Sequence, residues 1–260
     1  MKPYGTYIFD IDGTLIRGNE ALLGAVETLK HLRETNTQIL LVTNNPAETK
    51  GEISKRLNQI GFEIRKQEII TPIDALKIYF QNHQPTILAI TNNSIKEEMR
   101  NLGWQVVSEY TNSLPISYVL MGMSQEITYK DFVEGVRALD NGASLLGMNP
   151  DLFCPTQEGR VPDTGALLSC LELSTGQKAT IVGKPTKWMR RAILSAIHHP
   201  VSQSVFIGDS PYTDLAMGVE LGMDTVLLHT GITKYKNVEL IHQPTRLLND
   251  LQELYEAING

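Results

Sequence analysis

Cysteine is scarce. Cys154 and Cys170 are the only two in 260 residues, too few for a disulfide-dependent scaffold. Neither stands in a metal-ligand pattern, so each reads as a small buried apolar side chain. Long hydrophobic runs are missing as well: no stretch approaches about 18 uninterrupted apolar residues, which argues against a membrane-crossing helix. The amino-terminal residues carry one lysine but neither the apolar core nor the small-residue cleavage site of a signal peptide. A reducing cytoplasm is therefore the expected location. There is no basic block either, and the net charge is −6, which makes a nucleic-acid polymer or an anionic membrane a poor partner. No repeat of fixed period and no low-complexity tract interrupts the chain. What remains is ordinary for a globular protein, 42% apolar and 20% charged, enough for one α/β domain or a core with a smaller second domain.

Periodicity alternates along the chain. Tyr7, Ile8 and Phe9 form a short apolar run, and Ala25, Leu29 and Leu32 then fall on one helical face. Gln38 to Val42 reads as a strand; Pro46 suits the first turn of a helix whose stripe is Ile53, Leu57 and Ile60, closed by Gly61. A second set of such units runs from about residue 82 to 178, with strands at Thr86 to Thr91, Ile116 to Met121 and Ser144 to Met148. Residues 149–164 read as a long loop of the kind that carries function. Strands at Ala179 to Val182, Ser204 to Ile207 and Thr225 to Leu228 follow, and Leu247, Leu251, Leu254 and Ile258 mark a terminal helix. This alternation predicts a doubly wound parallel sheet covered by helices.

Chemistry concentrates where strands stop. Asp10 and Asp12 follow the first strand at spacing two and can face one side, with Gly13 allowing a tight turn and Thr14 adding a hydroxyl. Like charges this close are tolerated mainly where a cation or a shared proton compensates them. Thr43, Asn44 and Asn45 follow another strand, where a hydroxyl, amides and helix-start N–H groups suit a phosphate oxygen and serve equally as a turn or cap. Lys184 follows the strand after the second set and could neutralise an anion there. Asp209 and Asp214 lie five apart around a helix start, and oxygen-rich ligands of this kind are what Mg²⁺ takes.

In order and in residue type these four pieces, Asp10-Ile11-Asp12-Gly13-Thr14-Leu15, Thr43-Asn44-Asn45, Gly183-Lys184-Pro185 and Gly208-Asp209 with Thr213-Asp214, resemble the motifs of the haloacid dehalogenase superfamily. Within it the chain is similar to the NagD and p-nitrophenyl phosphatase-like group, and Tyr129, Gly142, Asn149 and Asp151 match that group's large inserted α/β cap. The resemblance implies a Rossmann-like catalytic core over residues 1–81 and 179–260 and a cap over 82–178. Pro46 stands where relatives usually have serine, and Ser210-Pro211 replaces a more polar or basic pair; neither touches the core chemistry the resemblance implies, but both could reshape the substrate entrance.

The resemblance further implies a Mg²⁺-dependent phosphatase acting on a small phosphorylated metabolite, as a monomer or homodimer. In that scheme Asp10 is the nucleophile and Asp12 the acid and base. Asp10, Asp209 and the main-chain oxygen of Asp12 hold the metal. Thr43, Asn44, Asn45 and Lys184 hold the phosphoryl oxygens. Asp214 orients Lys184 or a water of the metal from behind. Asn149 and Asp151 would read the leaving group, although both are also turn-formers. Asp12 favours phosphomonoesters over halides, because an alkoxide needs a proton to leave and a halide does not. Sugar phosphates, nucleoside monophosphates, phosphoglycolate and aryl phosphates all fit. Transfer to an acceptor alcohol, as in a phosphotransferase or mutase, is the alternative. A non-catalytic binding protein on the same fold is a more distant one, since it should lack one of the four charged residues.

Overall fold

The computed structural model describes residues 2–81, 83–156, 159–231 and 240–260. Residue 82, where the sequence places the start of the insertion, lies outside them. In chain order come β1 (Thr6–Phe9), the short pair β2 (Ile16–Arg17) and β3 (Glu20–Ala21), α1 (Ala25–Glu34), β4 (Gln38–Val42), α2 (Lys50–Ile60), β5 (Ile69–Ile70) and α3 (Pro72–Phe80). The next segment holds β6 (Thr86–Ile90), α4 (Asn93–Asn101), β7 (Gln105–Val107), β8 (Tyr118–Met121), α5 (Tyr129–Asp140) and β9 (Ser144–Gly147). A hairpin of β10 (Phe153–Thr156) and β11 (Gly159–Pro162) precedes α6 (Thr164–Thr175), β12 (Thr180–Ile181) and α7 (Lys187–Ala196). The chain closes with β13 (Ser204–Gly208), α8 (Ala216–Leu221), β14 (Asp224–Leu228), β15 (Arg246–Leu248) and α9 (Leu251–Asn259).

Two parallel sheets organise these elements. The six-stranded sheet runs β15-β14-β13-β1-β4-β5 and the five-stranded sheet β12-β9-β8-β6-β7. In the first, β1 is central, buried at every position, with Phe9 opposite both Ile207 and Leu41. The chain winds outward from β1 through β4 and β5 on one side and through β13 to β15 on the other. The boundary between β1 and β13 is therefore the switch point where α/β sheets collect ligands.

Alternate residues of these strands feed different cores, as the pleat requires. Phe9, Leu41 and Ile207 pack with α1, α2 and α9 on one face. Ile8, Leu40 and Phe206 pack on the other with Leu76 and Phe80 of α3 and Met189 and Ile193 of α7. That second cluster also takes in Ile87, Ala89, Leu120 and Leu146 from the five-stranded sheet. Helices α3 and α7 are thus an apolar layer shared by both sheets.

Three elements differ from the expectations above. Phe153–Thr156 and Gly159–Pro162 pair as antiparallel strands within a stretch that reads as an irregular loop. The strand at 180–181 pairs with β9 and closes an edge of the five-stranded sheet, not the six-stranded one. Leu247 belongs to β15, and the last helix begins at Leu251. Among the described residues no helix is long and apolar enough to cross a membrane.

Candidate active site

Three parallel strands end at one level, so the residues after them meet. The Asp10 N–H donates to the Ile207 carbonyl at 2.9 Å, which extends the ladder by one residue and places the Asp10 side chain beside the end of β13. Asp209 follows β13 and Thr43 follows β4. Asp10, Asp12, Thr43, Asn44, Asn45, Lys184, Asp209, Asp214 and Asp151 all line one cleft of about 130 Å³, together with residues from both sheets' loops.

Lys184 is the hub. Only 1% of its side chain is exposed, and its Nζ donates to Asp10 Oδ1 at 2.6 Å, Asp214 Oδ1 at 2.7 Å and the Val42 carbonyl at 2.8 Å. All three ammonium protons are therefore used. Burial alone would favour the neutral amine, but Asp10 and Asp214 outweigh it and raise the lysine above its ordinary value. The second oxygen of Asp10 has no hydrogen-bond partner among the described residues. Burial first, and then Asp214, pushes the Asp10 carboxyl well above the usual range, with Lys184 opposing and Asp209 adding to the rise.

Carboxylate oxygens of Asp10, Asp209 and Asp214 lie within 4.8 Å of one another. Lys184 pairs with two of these three buried carboxylates, Asp10 and Asp214. The donors are all hard oxygens. Close approach of the three carboxylates and their donor type together fit a divalent cation such as Mg²⁺. The backbone makes room for the cluster: a Cβ on Gly13, whose φ is +96°, would meet the Asp209 carboxyl at 2.8 Å, and one on Gly231 would lie 2.0 Å from Asp209 Oδ2. Thr14 donates to Asp209 Oδ1 at 3.3 Å. Asp214 is held from its other side, where Oδ2 accepts from the Ser210 N–H at 3.0 Å.

Asp12 stands apart from that cluster and keeps 40% of its side chain open, with Arg56 at 3.6 Å. Its carboxyl is raised, chiefly by the protein packed around the cleft floor, while Arg56 pulls the other way. The sequence alone does not single out Arg56. It sits on α2 at the flank of the apolar stripe and is gripped by Glu48 at 2.9 and 2.6 Å. Glu48 in turn accepts from Asn45 Nδ2 at 2.8 Å, and Asn45 Oδ1 accepts from the Ala47 N–H. The Asn45 amide thus builds the turn into α2 and steadies the partner of Asp12.

The Asn44 side chain is also committed. Its Oδ1 accepts from the Lys184 N–H at 2.7 Å, and its Nδ2 donates to the Lys184 carbonyl at 3.2 Å and to Asp151 Oδ2 at 2.9 Å. Asn149 is fully buried and does not line the cleft. It donates to the Asn44 carbonyl at 2.9 Å and accepts from the Asp151 N–H at 2.9 Å, tying the β9 loop to the β4 loop. Asp151 does reach the cleft, and burial pushes its carboxyl up to about 6, against the Asn44 hydrogen bond. Met123, Phe153, Cys154 and Asp163 complete the wall. Phe153, Cys154 and Asp163 carry no motif, and only the fold brings them here.

Known proteins resemble this chain over nearly its whole length. A family model described as haloacid dehalogenase-like hydrolase matches residues 7–105, and a HAD-hydrolase-like model matches residues 181–254. The chain is 30% identical to the 5'-nucleotidase YutF of Bacillus subtilis, over 97% of this chain and 98% of that one. It is 28% identical to the acid sugar phosphatase of Staphylococcus epidermidis, over 92% of each. The solved p-nitrophenyl phosphatase from Archaeoglobus fulgidus superposes with a TM-score of 0.88 at 26% identity, covering 98% of this chain and 100% of that one.

Proposed function

The chain belongs to the haloacid dehalogenase-like hydrolases and is a phosphatase of small phosphate esters, and from that premise we propose a Mg²⁺-dependent hydrolysis through an aspartyl-phosphate on Asp10. The observation that carries the reading is the geometry of Asp10: one oxygen fixed by buried Lys184 at 2.6 Å, the other without a partner among the described residues and aimed at the cleft. Asp10, Asp209 and the main-chain oxygen of Asp12 would hold the metal, which when bound neutralises the mutual repulsion of carboxylate and phosphate.

The chain's own groups then divide the work. The unheld oxygen of Asp10 attacks phosphorus as the bond to the leaving oxygen breaks, so one hard displacement becomes two easier ones. Asp12, whose raised carboxyl favours the protonated form, gives its proton to the departing alkoxide. The resulting carboxylate next takes a proton from water. That water attacks phosphorus, the bond to Asp10 breaks, and phosphate leaves with Asp10 restored. Lys184, whose three protons are committed, sets its positive charge beside the phosphoryl oxygens and Thr43 offers its hydroxyl, and fixed charge and dipoles aimed at developing charge are usually the largest catalytic contribution. The side chain of Asn44 is occupied, so its part falls to its main-chain N–H, while Asn45 acts through Glu48. Asp214 keeps Lys184 in place.

Residues 82–178 serve as the cap in this proposal, with the β9 loop and the hairpin over the leaving group, excluding water from the phosphoryl centre. Asp10→Asn tests the scheme with a phosphomonoester and Mg²⁺. Turnover should be lost, and near-wild-type turnover would reject Asp10 as the nucleophile. Product analysis with an added acceptor alcohol separates hydrolysis from phosphotransfer.

A further inference from the structure

The cleft has two chemically different ends. The phosphoryl end holds Lys184 and the metal carboxylates. The other end, where the alcohol half of a substrate must lie, is bounded by Asp151 and Asp163 with Pro46, Met123 and Phe153 as its apolar wall. Among the described residues lining the cleft, Lys184 is the only cation, and it is already ion-paired to Asp10 and Asp214. Arg56 lies close by, but Glu48 grips it through two nitrogens.

Asp151 is set rigidly. Asn44 holds its Oδ2 at 2.9 Å and Asn149 holds its N–H at 2.9 Å, while Oδ1 has no partner among the described residues. A fixed carboxylate with one open oxygen in a partly desolvated cleft accepts a hydroxyl through a charge-assisted hydrogen bond. It repels a second anion. Among the described residues lining the cleft the one cation, Lys184, is committed to Asp10 and Asp214, and Arg160, whose guanidinium stacks on the Phe153 ring, is not part of the lining.

We propose that this end of the cleft selects phosphomonoesters whose alcohol half carries no negative charge, and that a hydroxyl of that half donates to Asp151. The inference rests on the phosphatase reading of the same site. It admits sugar monophosphates and nucleoside monophosphates, and it rejects phosphoglycolate and sugar bisphosphates, which the sequence alone leaves open.

Two near-isosteric pairs test it: 2-hydroxyethyl phosphate against 2-phosphoglycolate, and glucitol 6-phosphate against 6-phosphogluconate. With wild-type enzyme and Mg²⁺ near neutral pH, the uncharged member of each pair should have a kcat/KM about tenfold or more above the other. High salt should shrink that ratio without any substitution, since screening weakens the repulsion. Asp151→Asn should shrink it too, mainly by lowering KM for the anionic member. Equal kcat/KM within both pairs, while the neutral esters are hydrolysed, would overturn the charge selection and leave the phosphatase reading standing. A preference that survives Asp151→Asn unchanged overturns the assignment to Asp151. Absence of phosphate release from every ester tested overturns both readings together.

Discussion

At the scale of single residues, the Lys184 ammonium is where stability and activity meet. It is buried, and its partners are two buried carboxylates. Removing one partner of such an arrangement costs far more than the arrangement contributes, because the survivors stay desolvated and unpaired. Lys184→Met should therefore destabilise the metal-free protein by about 3–5 kcal/mol in chemical denaturation, with a smaller loss in acid, where the raised carboxyl of Asp10 takes up a proton. Loss of the positive charge beside the transferring phosphoryl group should lower kcat by about 10²–10³-fold in the same variant. Unchanged stability would mean that water already solvates the pair.

Asp151 gives the opposite sign. Its carboxyl lies near 6, above the ordinary carboxylate, through burial, with Asp163 and Asp214 adding and Asn44 and Lys184 opposing. Between about pH 4 and 6 the native form keeps a proton that the unfolded chain has released, so stability falls as pH rises through this window and is flat above it. The full cost is on the order of 2–3 kcal/mol. Asp151→Asn keeps an oxygen for Asn44 and removes the charge. It should stabilise the protein above pH 6 by roughly 1–2 kcal/mol and leave it unchanged near pH 4, as thermal unfolding at the two values would reveal. Equal effects at both would assign the gain to packing rather than charge.

At the scale of elements, strand ends decide where the chemistry sits, and they tolerate little extra volume. A Cβ on Gly208, the last residue of β13, would lie 2.3 Å from the Asp214 Cβ and 2.4 Å from its carboxyl carbon. Gly208→Ala therefore displaces the carboxylate that seats Lys184. Misplacement of about 1 Å can cost on the order of 10²-fold in rate, so kcat should fall steeply while KM changes little; a drop in KM-dependent binding alone would deny the link from β13 to Lys184. The central strands and the residues that follow them were legible in the sequence, because buried parallel strands are short apolar runs and their polar ends stand out against them. What was hidden had no such contrast. Ile69–Ile70 is a strand of two residues, too short for any period, and nothing in the apolar run at 179–182 marks which sheet it joins. Strands β10 and β11 contain Pro155 and Pro162, which read as loop because proline removes a ladder donor. Arg56 reaches Asp12 from a helix face that looks like ordinary solvated surface. Asn149 resembled a substrate contact because its role, bonding the Asn44 carbonyl and the Asp151 N–H, depends on two loops 105 residues apart meeting in space.

At the scale of the molecule, one apolar cluster joins both sheets through α3 and α7. Units that share a core lose it together, so urea unfolding should be a single transition, coincident by far-UV circular dichroism and by fluorescence of Trp104 and Trp188, both packed in or against this cluster. Two separated transitions would show that the five-stranded unit holds together without the shared layer. The same continuity lets an ion at one end of the sheet act on the whole fold. A ligand that binds only the native state stabilises it by an amount that grows with its concentration, about 2.7 kcal/mol at 100 times its dissociation constant. Relief of the repulsion among Asp10, Asp209 and Asp214 is the physical source of such a gain here. Mg²⁺ should accordingly raise Tm in a concentration-dependent way, and chelation should remove both that increment and phosphatase activity. Asp209→Asn removes one charge from the cluster. It should unfold at a higher temperature than wild type when both are metal-free, yet gain little from added Mg²⁺. An undiminished Mg²⁺ increment in that variant would place the ion elsewhere in the molecule and break the connection between the carboxylate cluster and catalysis.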